Sequence, residues 1–244
     1  MCSKAARNGV SFRPHFKTHQ SLEIGRWFKE LGVEKITVSS LEMAEYFSAE
    51  WNDITVAFPI NILEIETINR LASIINLQVL LESPDAAIFL NENLSNKIDF
   101  FIKIDVGYHR TGIDSEETEK IDHILAISNC SEMLNFRGFL AHAGHTYNCR
   151  SRDEILKIHK ETTEAISRLK EKYLPRYPNM IVSVGDTPSC SVAEDFSLVD
   201  EIRPGNFVFY DLAQYQISSC EIDQIAVAVS LVLTACGCLE RLTK

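Results

Sequence analysis

Lys17 closes the run Phe12-Arg13-Pro14-His15-Phe16-Lys17, and its neighbours are those a reactive amine requires. Val10, Phe12, Pro14 and Phe16 alternate with Ser11, Arg13, His15 and Lys17. That is the period of a β-strand with one apolar and one polar face. Positive charge beside a lysine lowers its pKa, and a Schiff-base lysine reacts as the neutral amine. Burying this basic face requires an anionic partner. An exposed basic strand is the alternative reading.

Four further segments carry chemistry. Lys103-Ile-Asp105-Val-Gly107-Tyr-His109-Arg110-Thr-Gly112 puts Lys103 and Asp105 on one strand face, either as site residues or as a structural ion pair. Ala141-His142-Ala-Gly144-His145-Thr-Tyr147 puts Leu140 and His142 on one face. His142 and His145 also admit a reading as zinc ligands, whereas His109, His123 and His159 are expected to face solvent. Gly185-Asp186-Thr187-Pro188-Ser189-Cys190-Ser191 is a small-residue loop suited to capping a short helix, and Arg203-Pro204-Gly205-Asn206 is a second tight loop. Thr187, Gly205 and Asn206 offer hydroxyl or backbone N–H donors without bulk. Such loops beside a helix N-terminus cradle phosphate. With a lysine available, they point to a phosphorylated cofactor held near an amine, and pyridoxal phosphate is the candidate.

The elements that must position these residues alternate. Strands are expected at Val10–Lys17, Lys35–Ser39, Ile54–Pro59, Leu77–Glu82, Asp99–Val106, Phe136–Ala143, Met180–Gly185 and Leu198–Arg203. Helical patterns lie near 20–32, 41–50, 62–74, 84–94, 116–128 and 152–173. In the last, Ile155, Ile158, Ile166, Leu169 and Tyr173 make an apolar stripe. Eight strands separated by helices predict an α/β fold, a (β/α)8 TIM-type barrel, whose site lies at the C-terminal strand ends. A doubly wound sheet is the runner-up, although no GxGxxG follows the first strand. Met1–Asn8 reads as the last turns of a helix. The apolar run Ile225–Leu233 reads as the opening of a second β-domain, giving a barrel over 9–221 and the start of a truncated β-domain over 222–244.

The bulk composition narrows the partners. The chain has 244 residues, 45% hydrophobic and 24% charged, enough for one large domain. A net charge of -10, with scattered basic residues, argues against nucleic acid or an anionic membrane. The sequence shows neither a membrane-span-length apolar run nor a signal peptide. Its seven irregularly spaced cysteines form no CxxC pair, so free thiols in a cytoplasmic protein are expected. Cys236-Gly-Cys238 could supply half of a metal site, with no partner ligand downstream.

Taken together, these motifs resemble the alanine racemase-like, fold-type III pyridoxal-phosphate enzymes, in the D-threonine aldolase and D-serine dehydratase branch. Arg13-Pro-His-Phe-Lys17-Thr-His looks like that branch's lysine motif. The resemblance extends from the start of the chain to about Cys220. It implies that Lys17 carries the cofactor and acts in catalysis, that Arg110 contacts the cofactor's phenolic oxygen, and that His142 and Tyr147 line the ring. Thr187, Gly205 and Asn206 match cofactor-binding positions in the two loops. It further implies a lyase acting on a small D-3-hydroxy amino acid, aldolase-like, with a dehydratase, a racemase or a non-catalytic cofactor-binding module as alternatives. A homodimer and a divalent metal (manganese or zinc) are implied for the full-length enzyme, the metal held by a C-terminal β-domain. Relatives begin with a strand and helix that this sequence lacks, and their set of His and Cys or Asp metal ligands is not found after Ile222. Leu140 replaces a tyrosine of some dehydratases, which favours the aldolase reading.

Overall fold

A computed structural model describes residues 1–227. In chain order the elements are α1 (Cys2–Asn8), β1 (Ser11–Phe12), α2 (Leu22–Glu30), β2 (Ile36–Val38), α3 (Leu41–Ser48), β3 (Asp53–Pro59), α4 (Ile65–Ala72), β4 (Asn76–Leu81), α5 (Pro84–Asn93), β5 (Ile98–Asp105), β6 (Ile113–Asp114), α6 (Thr118–Asn129), β7 (Leu134–Ala141), α7 (Arg152–Tyr173), β8 (Ile181–Val184), α8 (Thr187–Val192), β9 (Glu201–Ile202) and α9 (Leu212–Gln216). Short 3-10 turns occur at Ile62–Glu64, Gly144–Asn148, Asn206–Val208 and Ile222–Gln224. The expected β-domain opening lies, from residue 228 onward, outside the described residues, as do Cys236 and Cys238.

Serines start several of the helices. Ser21, Ser40, Ser83 and Ser151 each accept the N–H three residues on, from Ile24, Met43, Ala86 and Glu154. Each cap satisfies a donor that has no partner inside the helix. Pro84, at the first turn of α5, needs no such partner.

All strand pairs are parallel, in the order β1-β9-β8-β7-β5-β4-β3-β2, with β6 added beside β5. The two ends of this path meet. His15 bridges Thr37 in parallel, with Thr37 N–H on Pro14 O at 2.9 Å and Phe16 N–H on Thr37 O at 2.8 Å. Eight strands thus curl into the expected barrel with helices outside. The main core lies between sheet and helices, while Leu80, Phe101 and Leu140 form a small apolar layer of their own.

The first strand is shorter than its alternation suggested. Regular pairing ends at Phe12, and the chain reaches Lys17 through a turn closed by Gln20 N–H on Phe16 O. Pro14 supplies no ladder donor and Phe16 redirects its N–H to β2. The two faces nevertheless separate as read. Phe16 is fully buried against Phe28, Phe47 and Trp51. Arg13 is buried too, not exposed, and meets Glu201 at 2.9 Å and Asp53 at 2.5 Å. His159, expected to face solvent, is buried instead, because its Nε2 donates to Asp195 O and its ring packs on Phe196. Among the described residues no helix is long and apolar enough to cross a membrane.

Candidate functional site

A cleft opens at the C-terminal ends of the strands, and all seven candidate residues line it. Lys17 reaches it from the turn after β1, Arg110 from the loop after β5, and His142 and Tyr147 from the segment after β7. Thr187 enters from the start of α8, and Gly205 and Asn206 from the loop after β9. Strand order alone brings them together, since these ends are adjacent only once the sheet has closed.

Positive charge dominates the cleft. Lys17, Lys103, Arg110 and Arg203 all line it, and none forms an ion pair among the described residues. Partial enclosure, followed by the charges of Arg110 and Arg203, holds the Lys17 amine below the ordinary lysine pKa. Burial pulls Lys103 down to about 8, against the opposing charge of Glu82. Burial likewise pulls Arg203 down to about 10, even though Glu201 favours its charge. The Arg203 guanidinium is fixed by donating to Ser183 Oγ at 2.7 Å and Ala141 O at 2.6 Å.

The histidines in this cleft are neutral. Nδ1 of His142 faces the carbonyl oxygen of Gly185 at 2.5 Å and must donate to it, which leaves Nε2 as the acceptor. Burial, then the charges of Arg203, Lys103 and Lys17, pushes the pKa of His142 down to about 3 despite that bond. His15 accepts the Lys17 N–H at Nδ1, 3.3 Å away, and burial with the charges of Lys17 and Arg203 keeps it well below the usual range. Adding a proton to either ring would place another cation beside the four already present.

A cluster of backbone and hydroxyl donors occupies one side of the cleft. The N–H groups of Gly205 and Asn206 converge on Thr187 Oγ1 at 3.3 and 2.9 Å. The Thr187 N–H donates to Tyr147 Oη at 3.2 Å. Successive converging backbone donors form a concavity suited to an oxyanion. Glycine at 205 is a matter of room, because a Cβ there would stand 2.8 Å from the His15 carbonyl oxygen. Asp186 holds the loop by accepting Ser189 N–H at 2.7 Å and Thr146 Oγ1 at 2.9 Å. Burial, and then Asp186, pushes the Tyr147 phenol up to about 12.

Three residues outside the seven candidates also line the cleft, Lys103 among them as its site-residue reading allowed. Lys103 does not pair with Asp105. It donates to Thr111 Oγ1 at 3.0 Å, while Asp105 accepts the N–H groups of Gly107, Tyr108 and His109. Arg203 and His15 likewise line the cleft. Their position at or just beyond the C-terminal end of a barrel strand was the available signal. The zinc reading of His142 and His145 gains no third ligand, since no group of three or more His, Cys, Asp or Glu gathers among the described residues.

The alanine racemase N-terminal domain family matches residues 1–212. A D-serine dehydratase of Dictyostelium discoideum is 34% identical over 94% of this chain and 63% of its own length. The solved D-threo-3-hydroxyaspartate dehydratase of Delftia sp. HT23 superposes with a TM-score of 0.86 at 26% identity, over 92% of this chain and 60% of that one. A D-threonine aldolase of Filomicrobium marinum shares the fold, with a TM-score of 0.79 at 20% identity over 89% of this chain and 60% of its own. The chain therefore spans about three fifths of the length of these relatives.

Proposed function

The chain belongs to the alanine racemase N-terminal domain family, the fold-type III pyridoxal-phosphate enzymes, and we propose that it is the cofactor-binding barrel of a lyase for small D-3-hydroxy amino acids. The observation that carries this reading is the coexistence, in one cleft, of four cations with no ion pair among the described residues, a lysine with lowered pKa and a donor cluster in which glycine is sterically required. Such surplus positive charge suits a cofactor bearing phosphate and a phenolate, together with a carboxylate substrate. The relatives' names support elimination of water over aldol cleavage, and the Leu140 argument for the aldolase is the weaker of the two.

When bound, pyridoxal phosphate supplies the electron sink for cleavage of a bond at the substrate α-carbon. Thr187, Gly205 and Asn206 would hold the phosphate through hydroxyl and backbone N–H donors. Lys17 would bond the cofactor and then, as a free amine, take a proton from the α-carbon. Its lowered pKa keeps a larger neutral fraction available for that step. Arg110 would hold negative charge on the phenolic oxygen, and the charge of Arg203 adds to the burial that lowers the pKa of Lys17 and His142. His142 would present a neutral ring held in orientation by Gly185. A divalent metal, if used, would take ligands from the β-domain expected beyond residue 222.

Borohydride reduction followed by peptide mapping tests the assignment, with a pyridoxyl adduct expected on Lys17. An adduct confined to another lysine, or none in pure protein, overturns it. Assays of the full reading frame with D-serine, D-threo-3-hydroxyaspartate, D-threonine and D-alanine, with and without zinc or manganese, separate the reactions. The dehydratase reading expects ammonia and a keto acid from a hydroxy amino acid. Glycine and an aldehyde from D-threonine favour the aldolase, and racemised alanine alone removes both.

A further inference from the structure

The cradle residue Thr187 opens a helix of only six residues, too short to hold its own place. What anchors the far end of that helix is a side chain from the other end of the sequence. Lys4, on α1, donates from Nζ to the carbonyl oxygens of Cys190, Ser191 and Ala193 at 3.2, 2.8 and 2.8 Å, and stands 3.2 Å from Glu194. Its side chain is only 13% exposed. A cation at a helix C-terminus satisfies carbonyls left without helical partners and complements their partial negative charge. Arg152, from α7, adds one donor to Val192 O at 2.8 Å. Asn8 joins α1 to the same segment by accepting Phe196 N–H at 3.3 Å.

Along α8 the hydrogen bonds form one continuous path. Lys4 holds the carbonyl of Ser191, whose hydroxyl donates to Thr187 O at 2.7 Å and meets Tyr210 Oη at 2.9 Å. Thr187 in turn collects the Gly205 and Asn206 N–H groups. Displacing α8 would carry Thr187 away from the Gly205 and Asn206 N–H groups that meet at its hydroxyl.

We infer that Lys4 is a positioning residue for the anion cradle, fixing α8 so that Thr187, Gly205 and Asn206 grip the cofactor's phosphate. This rests on the cofactor reading above and adds a role for a residue that touches no ligand. The discriminating ligand pair is pyridoxal phosphate against pyridoxal, which lacks the phosphate.

Binding of each to the cofactor-stripped protein is measured by absorbance titration. K4M is expected to weaken pyridoxal phosphate about tenfold, the effect of losing one charge-assisted anchor, and to leave pyridoxal within about twofold. K4R, which keeps the cation, should recover most of the loss. Equal weakening of both ligands overturns the inference, because general destabilisation does not read the phosphate. Should K4M fail to fold, R152L removes the other side-chain donor and should shift the same ratio, and an unchanged ratio is equally fatal. If the unmodified protein itself fails to prefer pyridoxal phosphate, the cradle reading falls. If it does prefer it and neither variant moves the preference, the cradle stands and Lys4 is not its strut.

Discussion

The two ends of the barrel interior handle buried charge in opposite ways. Where the strands begin, Arg13 meets Glu201 and Asp53, Gln78 donates to Asp53 at 2.9 Å, and Ser183 donates to Glu201 at 2.7 Å. Lys35 adds a contact to Glu201 at 3.6 Å. Each charge there has a partner, as a buried charge must. Where the strands finish, four cations face a cleft, have no carboxylate within ion-pair reach among the described residues, and stand beside two histidines held neutral. The first end has completed its electrostatics within the chain. The second has left them without a partner among the described residues, which is what favours the proposed anionic ligand.

The sharpest way to break this contrast is to change one residue at each end. K17A should abolish the borohydride-trapped adduct and lower turnover at least about a thousandfold, through loss of the nucleophile. Chemical denaturation should show little change in stability, since Lys17 Nζ makes no hydrogen bond among the described residues. E201A should do the reverse. Leaving Arg13 buried with one partner removed costs about 3–5 kcal/mol of unfolding free energy in a urea titration. Comparable losses of stability from both substitutions would mean that the two ends do not differ.

Acidification sharpens the contrast next. His19 and His142 titrate at about 4 and 3 in the folded chain, and His15 also lies well below 6.5. An unfolded histidine takes up its proton near 6.5, so stability is fully present above that pH and is lost as pH falls toward the folded values. The expected slope is about 1.4 kcal/mol per pH unit for each histidine. Glu201, whose folded pKa is lowered, loses its contribution only further into acid, below the ordinary carboxylate range. Urea midpoints between pH 7.5 and 5 test this, and H142N should reduce the slope by one histidine's share.

G205A probes the cradle. A Cβ 2.8 Å from the His15 carbonyl must push the two loops apart, and overpacking of this kind costs about 1–3 kcal/mol. Pyridoxal phosphate affinity should fall about tenfold or more, while pyridoxal binding changes less. The smallest effect belongs to R110L. Without that cation the Lys17 pKa falls less far below the ordinary lysine value, the neutral amine becomes scarcer, and the pH midpoint of cofactor capture moves up. A midpoint that stays put in stopped-flow absorbance would assign the lowered pKa to enclosure and Arg203.

Much of this was legible from residue order. The alternation through Lys17 separated the face that packs on Phe28 and Trp51 from the face that enters the barrel. Backbone alternation has period two wherever a chain is extended, whatever surrounds it. The regular spacing of strands and helices gave the barrel, and the loops after its last two strands gave the candidate cradle residues. What the pattern could not supply was the surroundings of each polar face. An exposed basic strand and a buried one differ only in whether Glu201 and Asp53, from distant strands, arrive opposite Arg13.

By itself, then, the sequence determined the extended and helical segments, the lysine that could do the chemistry, and the small residues able to approach an anion, because these depend on local stereochemistry. The tertiary structure decided which charges meet. It paired Arg13, left Lys103 beside Thr111 instead of Asp105, buried His159, and set Lys4 of the first helix against the C-terminal carbonyls of the eighth. Coulomb energy and desolvation depend on distances through space, and residues separated by 186 positions become neighbours only when the sheet closes on itself.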